Sequence, residues 1–116
     1  MNFRRGNLKK ENKTVILTVS EGKIDNLSSR LLKDELQVLY KEGFRDIVLD
    51  FSFVTGIDSI GLGKLLMFQK KLKECGGRLI ITNITNEYIR ETFKMIRLHK
   101  VIDIKDRTGS KKWGSN

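Results

Sequence analysis

The chain has 116 residues, one cysteine, no proline, 39% hydrophobic and 32% charged residues, and a formal net charge of +9. That length fits one domain that can bury roughly two-thirds of its unfolded surface without a metal or a disulfide, and Cys75 alone excludes an internal disulfide or a Cys-based zinc site. No apolar run approaches the roughly 20 residues of a membrane span and no signal-peptide pattern opens the chain, so the composition implies a cytoplasmic domain without a membrane span.

The positive charge resembles a nucleic-acid footprint, but it is concentrated at the ends. Arg4, Arg5, Lys9, Lys10 and Lys13 lie at one, and Lys105, Arg107, Lys111 and Lys112 at the other. Gly6, Gly109, Ser110, Gly114 and Ser115 accompany them. Residues 1–7 and 105–116 therefore read as mobile basic tails, with Trp113 open to solvent, around an ordered core over residues 8–104. Solubility accounts for such charge, and no direct nucleic-acid contact is expected.

Residues 14–19, Thr-Val-Ile-Leu-Thr-Val, have the β-branched content and length of a strand. Residues 2–9 offer it an antiparallel partner, with a turn near Glu11-Asn12-Lys13. Ser20-Glu21-Gly22-Lys23 interrupts the run, and Asp25 or Asn26 can cap a helix. Leu27, Leu31, Leu32, Leu36 and Leu39 form its apolar stripe, and Glu42-Gly43 ends it. Residues 47–51 are nearly all apolar, the pattern of a central strand covered on both faces. In the next helix Leu62, Leu65, Leu66 and Leu72 mark an inner face, with Lys64, Lys71 and Lys73 toward water, and Cys75-Gly76-Gly77 stops it. Residues 78–82 form a third buried strand. Asn83 or Thr85 can cap a helix carrying Ile89, Phe93 and Ile96 on one side, and residues 101–104 close the core as a short strand. Strands alternating with helices predict an α/β fold: one small domain with a mostly parallel sheet of four to five strands, an antiparallel N-terminal strand, and helices packed against the sheet.

Enzyme chemistry is hard to assemble from these residues. His99 is the only histidine, in Arg97-Leu98-His99-Lys100, so a Ser-His-Asp site would have to use it. No His/Cys cluster has metal-ligand spacing. Gly56-Ile57-Asp58-Ser59-Ile60-Gly61 has the two glycines of a P-loop, but Leu62-Gly63 follows where Lys and Ser/Thr belong. Gly61-Leu62-Gly63 opens a dinucleotide fingerprint, but Leu66 stands at its third glycine. The expectation is no catalytic residue, no metal and no cofactor.

The most informative segment is residues 47–63, where an apolar run stops at small and polar residues and an amphipathic segment begins at once. Asp58 or Ser59 can serve simply as the N-cap, worth about 1 kcal/mol. A hydroxyl here also lies beside orphan N–H groups at the positive end of a helix dipole, so Ser59 is a candidate site for a phosphate. Met67 and Phe68 fall off the leucine stripe; they read either as lateral core contacts or as a partner patch beside Ser59.

The run Asp50-Phe51-Ser52-Phe53-Val54-Thr55-Gly56-Ile57-Asp58-Ser59-Ile60-Gly61-Leu62-Gly63 resembles the signature of the anti-sigma factor antagonists, which carry the STAS domain (sulfate transporter and anti-sigma factor antagonist). The family pattern is an apolar strand, a loop, then Asp-Ser-Ser-Gly-Leu-Gly opening a helix. Glu21-Gly22-Lys23-Ile24-Asp25 and Gly76-Gly77-Arg78-Leu79-Ile80-Ile81 extend the resemblance over roughly residues 8–104. It implies a cytoplasmic bacterial regulator that binds a partner acting as both anti-sigma factor and serine protein kinase. The kinase phosphorylates the serine after the motif aspartate and breaks the complex, and a serine phosphatase reverses the modification. Carried over, the acceptor is Ser59, and the partner-binding set is Asp25, Asp58, Ser59, Ile60, Gly61 and Phe68. Three departures stand out: Ile60 where the family has a small residue, a Gly-Glu corner out of register before Asp25, and no evident closing helix. They leave room for a second reading, a non-phosphorylated STAS scaffold subunit of a larger signalling or transport assembly.

Overall fold

A computed structural model describes residues 3–9, 13–20, 22–105 and 113. The β-branched segment forms strand β2 (Thr14–Val19), and β1 (Phe3–Lys9) pairs with it antiparallel, Phe3 opposite Val19 and Gly6 opposite Ile16. The N-terminal segment from Phe3 onward is thus part of the sheet rather than a tail. Edge pairing holds it, and Arg5 adds contacts from Nη1 to Glu42 Oε2 (2.9 Å) and from Nη2 to Glu35 Oε1 (3.0 Å). β3 (Gly22–Ile24) leads into α1 (Asn26–Lys41), followed by β4 (Asp46–Asp50), β5 (Val54–Ile57) and α2 (Ser59–Glu74). β6 (Arg78–Thr82), α3 (Glu87–Met95), a single 3-10 turn at Leu98–Lys100 and β7 (Asp103–Ile104) complete the order.

The main sheet runs β1-β2-β4-β6-β7 and is parallel except for β1, as the alternation of strands and helices predicts. β3 and β5 form a separate two-stranded parallel sheet. Neither of these two is legible as a strand in the sequence: each has only three or four residues, with Gly22 or Gly56 among them. Burial alternates along β2 and β4, with Val15, Leu17, Val19, Ile47 and Leu49 inside and Ile16 and Val48 half-buried. The expected cover on both faces of β4 is therefore incomplete: the face that carries Val48, beside Ile16 of β2, stays half-buried.

The core is closed by Leu32, Leu36 and Leu39 of α1, Leu65, Phe68 and Leu72 of α2, and Ile89 and Phe93 of α3. Leu27 and Leu31, expected on the inner stripe of α1, are exposed. The helix turns Leu32 and Leu36 inward, with Ser28 and Ser29 filling the buried positions of the first turn. In α2 the inner face is Gly61, Leu65, Phe68 and Leu72 at a strict i, i+4, i+7, i+11 spacing, and Leu62 and Leu66 are half-buried at its margin. Gly76 follows α2 at φ +80°, a left-handed turn that costs glycine nothing. The cap of α3 is Asn86, whose side chain accepts from Ile89 N at 2.9 Å, rather than Asn83 or Thr85. Ile96 falls beyond α3 and is exposed, and the closing strand shortens to two residues, with Val101 outside it.

Trp113, expected in solvent, is half-buried. Its backbone N–H donates to Ile104 O at 2.7 Å, and Lys94 Nζ sits 5.7 Å from its ring centroid. Lys105 N donates to Ile81 O. The rest of the expected C-terminal tail, the first two residues, Glu21 of the corner, Lys10, and Glu11 and Asn12 of the expected turn lie outside the described residues.

Candidate functional site: a corner built from two helix starts

β3 and β5 run side by side with Ile24 opposite Ile57, and Asp58 N donates to Ile24 O at 3.1 Å. One residue later each strand hands over to a helix. Asp25 and Asp58 are the two N-caps, so the pairing of two short strands brings the starts of α1 and α2 together at one corner. The sequence left Asp58 and Ser59 as alternative caps; the backbone gives the role to Asp58.

The α1 start is closed on itself. Asp25 Oδ1 accepts from Ser28 N at 3.0 Å, and Ser28 Oγ accepts from Asp25 N at 2.8 Å, a reciprocal capping box. Ser28 Oγ also lies 2.7 Å from Lys23 O and 3.0 Å from Asp25 Oδ1, and its single proton serves one of them at a time. Donation from the Ser28 N–H, and then from its hydroxyl, holds the Asp25 carboxyl below the usual carboxylate value.

The α2 start is open. Asp58 Oδ1 accepts from Gly61 N at 2.8 Å. Ser59 and Ile60 are both exposed, Ile60 at 48%. Among the described residues Ser59 Oγ makes no hydrogen bond, and the N–H groups of Ser59 and Ile60, which precede the first intrahelical bond from Leu62 N to Asp58 O, have no acceptor either. Gly61 is buried, and a Cβ built on it would stand 2.8 Å from both Ile24 Cγ2 and Ile24 O. Only glycine lets α2 begin this close to β3.

Five of the six residues expected at the site converge here: Asp25, Asp58, Ser59, Ile60 and Gly61. Phe68 does not join them as a surface residue. It is 5% exposed and meets Tyr40 edge-on, with ring centroids 6.4 Å apart and an interplanar angle of 87°, so it is a core contact between α2 and α1. Its neighbour Met67 is the exposed one, at 72%. Leu27 and Leu31, on the outside of the first turns of α1, add exposed aliphatic surface that the leucine stripe concealed. Among the described residues no three His, Cys, Asp or Glu side chains are grouped to hold a metal, and no helix is long and apolar enough to cross a membrane.

Residues 7–110 match the family model of the STAS domain. The chain belongs to the STAS domain family. It is 33% identical over 95 residues to the anti-sigma-B factor antagonist of Bacillus subtilis, covering 82% of this chain and 85% of that protein. The Bacillus cell fate determinant SpoIIAA, solved in its phosphorylated form, superposes with a TM-score of 0.66 at 21% identity over 90% of each chain. TM1081 of Thermotoga maritima gives a TM-score of 0.74 at 22% identity, over 93% of this chain and 83% of that one. The likeness to these two structures establishes the shared fold, and this STAS domain carries the expected Asp58-Ser59 pair at the head of α2.

Proposed function

We propose that this protein is an anti-sigma factor antagonist that acts in the cytoplasm. Its partner is an anti-sigma factor with serine kinase activity, bound through the corner formed by Asp25, Asp58, Ser59, Ile60 and Gly61. Phosphorylation of Ser59 ends that binding, and a serine phosphatase restores it. The observation that carries the reading is the state of Ser59: exposed, first in its helix, and with a hydroxyl not tied into the fold. The 33% identity to the anti-sigma-B factor antagonist supplies the partner class.

The physical switch follows from charge. A phosphoserine carries about −1.5 to −2 charges and three acceptor oxygens. The orphan N–H groups of Ser59 and Ile60 and the helix dipole can receive it without unfolding α2. Asp58 is adjacent, and Asp25 caps the neighbouring helix at the same corner. A dianion added to these carboxylates repels an acidic partner surface and enlarges a surface that had to fit closely, so the fold stays and the interface fails.

The test compares the wild-type chain with Ser59→Ala and Ser59→Asp in affinity capture from the native cytoplasm, followed by binding to the captured anti-sigma factor. Ser59→Asp is expected to weaken binding by at least about tenfold, or 1.4 kcal/mol, with folding stability unchanged within about 1 kcal/mol. Equal binding by wild type and Ser59→Asp overturns the switch. The exposed Ile60 beside the acceptor favours one second reading, a STAS scaffold subunit that no kinase modifies. Mass spectrometry on Ser59 after incubation with ATP and the captured kinase separates the two.

A further inference from the structure

A groove of about 300 Å³ lies between α1 and α2; it borders the hydrophobic core at Phe68 and includes no residue of the serine corner. Lys33 and Gln37 line it from α1, and Lys64, Met67, Phe68 and Lys71 from α2. Three cationic side chains thus border one concave space whose lining contains no carboxylate. None of the three forms an ion pair among the described residues. Lys71 Nζ instead donates to Gln37 Oε1 at 2.7 Å, bridging the helices, and stands 4.5 Å from the Tyr40 ring centroid and 5.8 Å from that of Phe68. Lys64 and Lys71 are two turns apart on one face of α2, with Met67 between them.

We infer that this groove binds a small organic anion, one acidic group on a flat apolar body. The body has the exposed Met67 to cover, beside the little of Phe68 that reaches the groove, which a bare inorganic ion would leave wet. The acidic group answers three like charges that form no ion pair among the described residues, which a neutral apolar ligand would not do. Size selects a free small molecule over a docked helix. A helix with its side chains is roughly 10–12 Å across, whereas this space is at the small end of ligand pockets, which run from about 300 to 1,000 Å³. The groove shares no lining residue with the serine corner, and the proposal does not depend on the switch.

Naphthoate titrated into the full chain, followed by amide nitrogen–proton correlation spectra, tests the site. Saturable shifts at Lys33, Gln37, Lys64, Met67, Phe68 and Lys71 are expected, with a Kd below about 1 mM. Naphthalenemethanol, which keeps the body and drops the charge, and sulfate, which keeps the charge and drops the body, should each bind at least about tenfold more weakly. The double substitution Lys33→Gln/Lys64→Gln should weaken naphthoate to the same degree with an otherwise unchanged spectrum, and Met67→Ala should do so without altering charge. Equal binding of the alcohol, shifts centred elsewhere, or indifference to these variants overturns the assignment. So does an acidic peptide that moves the groove resonances where naphthoate moves none, which would make the groove a seat for a partner's side chain.

Discussion

The two helix starts at the corner solve the same problem differently. Both follow a short parallel strand, and both are capped by an aspartate that accepts from the N–H three residues on. At α1 that third residue is Ser28, whose hydroxyl reaches back to Asp25 N and closes the box. At α2 it is Gly61, which has nothing to reach back with, and Asp58 N goes across to Ile24 O instead. The serines of α1 are committed to structure: Ser28 in the box, and Ser29, 1% exposed, donating to Asn26 O at 3.0 Å. The serine of α2 is left out of the hydrogen-bond network among the described residues. One helix start is a closed structural joint, and the glycine that brings the second against it also leaves a free hydroxyl at its rim.

The sharpest way to break that contrast is Gly61→Ala. Alanine favours a helix over glycine by about 1 kcal/mol, so an unconstrained site would gain stability. Here the new Cβ meets a backbone oxygen and a side-chain methyl of Ile24 at 2.8 Å, and the oxygen belongs to the β3–β5 pairing. The expected outcome is a net loss of about 2 kcal/mol in denaturant unfolding, with amide shifts at Ile24 and Asp25. A stabilised variant would mean that the approach of α2 to β3 imposes nothing.

A smaller loss is expected at the closed joint. Ser28→Ala removes the hydroxyl that satisfies Asp25 N and Lys23 O in a buried position, at a cost of about 1–2 kcal/mol. It also removes one of the donors that hold the Asp25 carboxyl down, so the titration of Asp25, followed by carboxyl NMR, should move up toward 3.8. The sign for stability follows. A carboxyl whose pKa is depressed by folding adds stability above its unfolded value and loses that contribution as the pH falls through its folded value. The margin of wild type over Ser28→Ala should therefore narrow as the pH drops below about 4.

How far this corner can be read from the sequence depends on the range of the interactions. The strands β2, β4 and β6 and the three helices follow from apolar runs and periodicity, which are local signals. Asp25, Asp58 and Ser59 are visible because caps and a strand-to-helix junction are local too, and the family resemblance points to the same residues. β3 and β5 are invisible, because three or four residues with a glycine among them become strands only through each other. Phe68 shows the limit at a single position. Its place beside Met67 does not say which of the two faces Tyr40, and the docking of α2 on α1 decides it. The same docking makes the groove bordered by Lys33, Lys64 and Lys71, residues that in the sequence are indistinguishable from a solvated face.

The finest test of the contrast pairs Ser59→Ala with Asp58→Ala. Asp58→Ala removes the side chain that caps α2 and should cost about 1 kcal/mol, the usual value of a lost cap. Ser59→Ala removes an exposed hydroxyl that no described residue engages, so its effect on unfolding should stay within about 0.5 kcal/mol. The same chemical change, serine to alanine, is then costly at position 28 and nearly silent at position 59, because burial and hydrogen-bond partners differ. If Ser59→Ala costs as much as Ser28→Ala, its hydroxyl belongs to the fold. A kinase acting there would then have to break a structural bond, and the switch would have to work by unfolding the start of α2 rather than by blocking the surface beside it.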